Sequence, residues 1–272
     1  MKKDVLTIRT LSEMKRKGQK IVAVTAYDAT FAALCDAAGV DIVLVGDSLG
    51  MVIQGQPNTL PVTLEEMAYH TTIVSRGLSR AFLIMDIPFQ CLPASREEAV
   101  RACVRALAEA GAKAVKLEGI TPHVLELTAH LTAHGIPVMG HVGLTPQSVH
   151  QLGGFRIQGK TPAAGAKLLE GAQKLQEAGA FSVVLEAVPH ELAQEITSRL
   201  AIPTIGIGAG PHCDGQVLVS YDLLGLNETY CPSFVKKYAS LAETVKTAME
   251  TYAQEVRGGL FPETGDRKTN PT

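Results

Sequence analysis

The residues best suited to chemistry are polar groups that stand where apolar runs stop. Val45-Gly46-Asp47-Ser48, Met85-Asp86, Lys116-Leu117-Glu118, Gly140-His141 and Leu185-Glu186 each bring a titratable side chain to the end of a short hydrophobic segment. An acid after a strand is often only the N-cap of the next helix, so any one of these positions taken alone has a bland explanation. Five in succession are better explained by a site. Asp47, Asp86 and Glu118 offer oxygen donors with no thiol beside them. That donor set suits a hard cation, and Mg²⁺ in particular is held by one or two carboxylates while keeping waters for substrate oxygens to displace. The alternative, a hydrogen-bonded structural cluster, leaves three acids with only Lys116 as a cation at the same strand ends. Lys116 and Glu118 are two apart and share one strand face, so the lysine can hold an anion while the glutamate faces the metal.

Glu186 follows Val183-Val184-Leu185. A carboxylate in apolar surroundings has its pKa raised and can accept a proton near neutral pH. The competing role is to cap a helix expected from about Pro189, and proton acceptor is the preferred assignment. His141 either donates to a substrate carboxylate or is a core histidine. Ser48 either offers its hydroxyl and amide to an anion or caps a helix; both pairs of alternatives stay open. Taken together, the residues point to a metal-assisted reaction on a small oxo-acid. Mg²⁺ chelated by a 1,2-dicarbonyl unit stabilises an enolate, a lysine holds the carboxylate charge and a glutamate removes the proton. The reaction class is C–C bond making or breaking next to a carbonyl.

These groups need a scaffold that brings successive strand ends together. Apolar, β-branched runs at Ile21–Thr25, Asp41–Val45, Phe82–Met85, Ala114–Leu117, Pro137–Met139, Ser182–Leu185, Thr204–Ile207 and Gln216–Val219 alternate with helix-patterned segments. Several are apolar throughout, as in parallel strands covered on both faces. Thr63-Leu-Glu-Glu66 and Ser95-Arg-Glu-Glu98 are capping boxes, and Thr121-Pro122 sets a cap before a first-turn proline. Ala38-Gly39, Ala110-Gly111, His134-Gly135 and Ala178-Gly179 repeat one helix-to-strand joint, a glycine able to adopt the left-handed C-cap. Eight βα units joined by right-handed crossovers close into a (β/α)8 TIM barrel, with a doubly wound open sheet as the alternative. In a barrel all the strand ends above converge on one rim. Two long connections, Gly46–Val62 and Val142–Thr161, follow strands and belong to that rim. The second, rich in Gly and Gln, suits a flap or an oligomer contact. Ile205-Gly-Ile-Gly-Ala-Gly210 is followed by Pro211 rather than a helix pattern, so it is a tight loop permitting close backbone approach and not a dinucleotide fingerprint. The expected organisation is one barrel domain over residues 1–256 with an N-terminal helical extension, and a flexible tail over 257–272.

Composition sets the outer bounds. The 272 residues carry 25 Lys+Arg and 27 Asp+Glu, a net charge of −2. That near balance excludes a basic nucleic-acid footprint. Hydrophobic residues make up 46%, aromatics 5% and Trp is absent, which gives an aliphatic core and disfavours a stacking platform. Five cysteines without a C-x-x-C indicate neither a disulfide framework nor a zinc site. With no continuous apolar leader and no membrane-length apolar run, the expectation is a cytoplasmic protein.

At these positions the sequence resembles the ketopantoate hydroxymethyltransferases. The matching stretches are Thr25-Ala-Tyr-Asp28, Val45-Gly-Asp-Ser-Leu-Gly-Met51, Thr59-Leu-Pro-Val-Thr63, Val115-Lys-Leu-Glu-Gly119, Gly140-His-Val-Gly-Leu-Thr-Pro-Gln147, Gly153-Gly-Phe-Arg-Ile-Gln-Gly159, Val184-Leu-Glu186 and Ile205-Gly-Ile-Gly-Ala-Gly210. They run in family order over about Lys20 to Tyr238. The resemblance implies a barrel of the phosphoenolpyruvate/pyruvate superfamily. It also implies transfer of a hydroxymethyl unit from 5,10-methylenetetrahydrofolate to 3-methyl-2-oxobutanoate, giving 2-dehydropantoate in pantothenate biosynthesis. It implies an Mg²⁺ site at Asp47, Asp86 and Glu118, and oxo-acid contacts from Asp47, Ser48, Asp86 and Lys116. Glu186 is implied as proton acceptor, with His141 near the substrate. A cytoplasmic homodecamer follows from the same resemblance, with no nucleic-acid or membrane partner. Two other functions compete. One is an Mg²⁺-dependent C–C or C–P lyase of the same barrel superfamily; the other is a silent barrel that binds oxo-acid or phosphate at Gly206–Gly210.

Overall fold

The apolar runs pair as parallel strands, each with its neighbour in sequence. The strands are β1 (Ile21–Thr25), β2 (Ile42–Val45), β3 (Phe82–Asp86), β4 (Ala114–Glu118), β5 (Val138–Gly143), β6 (Ser182–Glu186), β7 (Thr204–Ile207) and β8 (Gly215–Leu218). Because β8 also pairs with β1, Ile21 opposite Gly215, the sheet closes into a barrel and the open-sheet alternative is excluded. The computed structural model describes residues 5–227 and 232–262, so Cys231 and the expected tail beyond residue 262 lie outside the described residues. The chain divides into two compact units, Met1–Ser220 and Tyr221–Thr272.

The helices are α1 (Ile8–Arg16), α2 (Ala29–Ala37), α3 (Leu49–Val52), α4 (Leu64–Gly77), α5 (Arg96–Ala108), α6 (Pro122–Ala133), α7 (Val149–Leu152), α8 (Pro162–Glu177), α9 (His190–Arg199), α10 (Ser220–Leu223) and α11 (Leu241–Arg257). Their boundaries follow the local chemistry of the sequence. Both expected capping boxes form, Thr63 with Glu66 before α4 and Ser95 with Glu98 before α5, and Thr121 caps α6 ahead of Pro122. The four joint glycines, Gly39, Gly111, Gly135 and Gly179, all take positive φ, between 81° and 91°. A left-handed residue ends each helix and turns the chain into the next strand.

Two expectations need correction. β5 does not stop at Met139: it continues to Gly143, which pairs with Glu186 of β6, so His141 lies within a strand. No helix stands between β7 and β8, so the barrel lacks one of the eight expected βα repeats. β7 rises roughly 13 Å at ~3.3 Å per residue, and residues 208–214, in bends and turns with Gly208 and Gly210 at positive φ, make the return to β8 without a helix. The glycine run serves this return. A Cβ on Gly206 would lie 2.9 Å from Cys213 Sγ, so the close approach is made by the chain's own returning segment.

Inside the barrel, Ile21, Ala23, Ile42, Leu44, Phe82, Ile84, Ala114, Met139, Val184, Ile205 and Val217 form one mostly aliphatic cluster. Leu6 and Leu11 join it from the N-terminal segment, with Met14 packed against it, so α1 seals the end where the strands begin. A second cluster lies between β5, β6 and the inner faces of α8 and α9, where Leu175, Leu185, Ala193 and Ile196 are buried. The polar residues singled out by sequence sit at the opposite, open end.

Candidate active site

Asp86, Glu118 and Glu186 are the last residues of β3, β4 and β6. Parallel register sets them side by side, with Asp86 opposite Lys116 and Glu118 opposite His141. Asp47 follows β2 after Gly46, and its backbone N–H donates to Asp86 Oδ2 at 3.1 Å. Asp47, Asp86, Lys116, Glu118 and His141 are all at most 7% exposed.

Lys116 Nζ lies 3.0 Å from Asp86 Oδ1 and 3.4 Å from Glu118 Oε1. Burial alone would pull its pKa down, but Asp86, Glu118 and Asp47 outweigh burial and hold it above its ordinary value. The lysine expected to hold an anion thus already neutralises the acids around it. Glu118 gains most from this. Although burial opposes its charge, Lys116 and His141 lower its pKa to about 2. Asp86 is raised, chiefly by burial, despite Lys116 beside it. Asp47 is pushed well above its ordinary value by burial and then by the charges of Glu118 and Asp86. The cluster has one cation too few, and its deficit falls on Asp47.

His141 bridges the cluster to Glu186. Its Nδ1 is 3.2 Å from Glu118 Oε1 and its Nε2 is 3.1 Å from Glu186 Oε2. Burial and Lys116 disfavour the imidazolium, yet Glu118 and the Glu186 contact raise its pKa to about 9. With a carboxylate near each ring nitrogen, it is not an apolar core histidine. Glu186 differs from its expected apolar setting, because its side chain is 17% exposed and its carboxylate meets this ring. It does not cap α9, whose N-cap is Pro189 with no side-chain bond. The backbone beside it is held from several directions. Glu186 C=O accepts from Leu144 N–H, Ala187 N–H donates to Ile207 O, and Ala187 C=O accepts from Gln158 N–H. Ala187 stands at φ +46°, the one non-glycine residue at positive φ among the described residues. Gly143 is required opposite, since a Cβ there would fall 2.2 Å from Glu186 O.

Ser48 is the N-cap residue of α3 but makes no side-chain capping bond; its hydroxyl pairs instead with Tyr27 OH at 2.9 Å. Tyr27 and Gln147 are site residues that strand-end reasoning did not single out. Gln147 lies in a short turn after β5, yet its side-chain N–H₂ reaches Asp47 Oδ2 at 2.9 Å and its backbone N–H reaches Glu118 Oε2 at 3.1 Å. Its signals in the sequence were its place in a Gly- and Gln-rich loop and at the end of the family-like stretch Gly140-His-Val-Gly-Leu-Thr-Pro-Gln147.

The donor set suits a hard cation: buried carboxylate oxygens, a charge deficit centred on Asp47, and the buried, unpartnered oxygen Gln147 Oε1. Among the described residues no three His, Cys, Asp or Glu side chains form a ready-made metal cage.

A family profile described as ketopantoate hydroxymethyltransferase matches residues 5–264. The 3-methyl-2-oxobutanoate hydroxymethyltransferase of Syntrophus aciditrophicus (strain SB) is 54% identical over 258 residues, 95% of this chain and 94% of that protein. The enzyme of the same name from Cyanothece sp. is 52% identical over 261 residues, 96% of this chain and 100% of that protein. Among solved structures, phosphonopyruvate hydrolase in complex with oxalate and Mg²⁺ aligns with a TM-score of 0.63 at 14% identity, covering 97% of this chain and 91% of that one. A 2,3-dimethylmalate lyase of the PEP mutase/isocitrate lyase superfamily aligns with a TM-score of 0.60 at 16% identity, covering 97% and 92%. At such identities these two show a shared barrel fold alone.

Proposed function

The chain belongs to the ketopantoate hydroxymethyltransferase family, and from that premise we propose how it makes 2-dehydropantoate from 3-methyl-2-oxobutanoate. Asp47, Asp86 and Glu118 would hold Mg²⁺. When bound, the ion supplies Lewis-acid polarisation of the 2-oxo acid, which acidifies the neighbouring C–H. The observation that carries this reading is the buried cluster of three carboxylates around one lysine, with Asp47 held far above its ordinary pKa.

Glu186 accepts the C3 proton of the oxo-acid. Its carboxylate is the most accessible of the site's acids, at the rim, and His141 Nε2 fixes its orientation. The resulting carbon nucleophile attacks the methylene carbon of 5,10-methylenetetrahydrofolate, forming the C–C bond. The C–N bonds to folate break, water supplies the hydroxyl oxygen and the folate nitrogens regain protons. Ser48, steadied by Tyr27, and Lys116 bind the substrate carboxylate. Lys116 keeps its charge throughout, because Asp86 and Glu118 stay beside it.

The lyase reading has support only from distant barrels. The silent-barrel reading loses its cradle, because the Gly206 approach is filled by Cys213. The family resemblance extends the proposal to a cytoplasmic homodecamer; among the described residues no helix is long and apolar enough to cross a membrane. Turnover of 3-methyl-2-oxobutanoate with 5,10-methylenetetrahydrofolate, run with and without Mg²⁺, tests the whole assignment. Turnover that ignores Mg²⁺ removes the metal from it, and turnover without folate removes the donor.

A further inference from the structure

Gln147 connects Asp47 to Glu118 across the site. It is 6% exposed and sits in the turn Pro146–Ser148 that follows β5. One end of its side-chain amide lies 2.9 Å from Asp47 Oδ2 and 2.9 Å from Ile87 O. Both of those atoms are acceptors, so that end must be the N–H₂. The other end, Oε1, is therefore fixed by elimination, and it is buried with no partner. Meanwhile the backbone N–H of the same residue holds Glu118 Oε2. One glutamine thus fastens Asp47, Glu118 and, through Ile87, the segment just past Asp86.

A buried carbonyl without a donor is uncommon in a folded protein and calls for an explanation. This one stands on the same amide that touches Asp47, so it lies at the acid cluster. Mg²⁺ keeps several waters when only one or two carboxylates bind it, and each such water has protons to donate. Groups that orient ligands in this way are normally worth about 10–100-fold in metal affinity.

We propose that Gln147 is a positioning residue of the cation site, its amide N–H₂ and backbone N–H setting Asp47 and Glu118 and its Oε1 accepting from a water of the ion's shell. This inference rests on the Mg²⁺ reading of the acid cluster and adds to it a residue from the connection after β5.

Calorimetric titration of Mg²⁺ into the full chain, without oxo-acid or folate, tests the inference on wild type, Gln147→Met, Gln147→Asn and Asp86→Asn, with folding of each checked by a cooperative thermal melt. Met matches the length of Gln and removes both polar ends; Asn keeps the amide but falls one methylene short of Asp47 and Ile87. The expected result is a Kd for Mg²⁺ raised about 10–100-fold in both Gln147 variants. A merely structural role would shift the melt and leave Kd alone, and wild-type Kd in a folded Gln147→Met overturns the proposal. If that variant does not fold, wild-type Kd in Gln147→Asn overturns it instead. Absence of Mg²⁺ binding by the wild type, or unchanged binding by Asp86→Asn, would sink the metal reading itself, an outcome distinct from failure of Gln147 alone.

Discussion

The two ends of the barrel bury similar side chains and treat them differently. Where the strands begin, each acid has its own partners. Asp41 faces Arg80 at 2.8 Å and accepts from Val22 N–H. Asp214 faces Lys15 at 2.7 Å and accepts from Thr204 N–H. Asp36 accepts from Ser79 Oγ and from the N–H groups of Ser79, Arg80 and Ala81. Where the strands finish, Asp47, Asp86 and Glu118 share Lys116 and His141, and at the cost of raising Asp47. Burial is common to both ends. What separates them is how each charge is satisfied: at the first end every acid has its own donors, and at the other three acids share one lysine and one histidine, which leaves Asp47 raised and gives a cation a use there.

Substitutions at each end should break function or stability, but not both. The largest effect is expected from Glu186→Gln, which should slow exchange of the substrate C3 proton into D₂O by about 10²–10⁴-fold, the usual range for a lost general base, while Mg²⁺ still binds. Undiminished exchange removes Glu186 as the base. Next, Asp86→Asn should raise the Mg²⁺ concentration for half-maximal turnover by at least the ~10–100-fold seen for supporting groups; an unchanged requirement ends its ligand role. At the other end, Asp41→Asn should cost about 2–3 kcal/mol in urea unfolding. That is under the ~3–5 of a fully buried pair, because Arg80 keeps access to water. Its Mg²⁺ dependence should match wild type, and a change there would mean that the two ends are coupled.

Asp36 gives the pH form of the same contrast. Burial opposes its charge, but Ser79 and the backbone N–H groups lower its pKa below the ordinary value. A depressed carboxylate adds stability that is fully present above its unfolded pKa of ~4 and is lost as pH falls through the folded value. Wild type should therefore exceed Asp36→Asn by about 1.5–3 kcal/mol at pH 7, and the gap should close under acid; a gap that persists at pH 2 refutes the assignment. The smallest effect is expected for Thr63→Ala, about 1 kcal/mol from a lost cap, with turnover unchanged.

Much of this was legible in the sequence because its signals are local. Capping boxes, glycine joints and apolar runs each specify a few residues, and the strands from Ile21–Thr25 to Thr204–Ile207 follow from them. The acids were legible through one regularity, a polar group at a strand end. What failed needed pairing between distant segments. Gly140 and His141 read as a strand end, yet pairing with β6 carries β5 to Gly143. Lys116 reads as an anion binder, but that Asp86 stands beside it emerges only when β3 and β4 align. Gln147 is 100 positions from Asp47, and nothing near it in sequence announces that contact.

The plug at the N-terminal end makes the barrel one-sided. Leu6 and Leu11 fill the end where the strands begin with packed side chains, so solvent meets the acids from the rim, where Glu186 is partly exposed. A substitution that loosened the plug would open a second way to the acids from behind, and the barrel would become a tube.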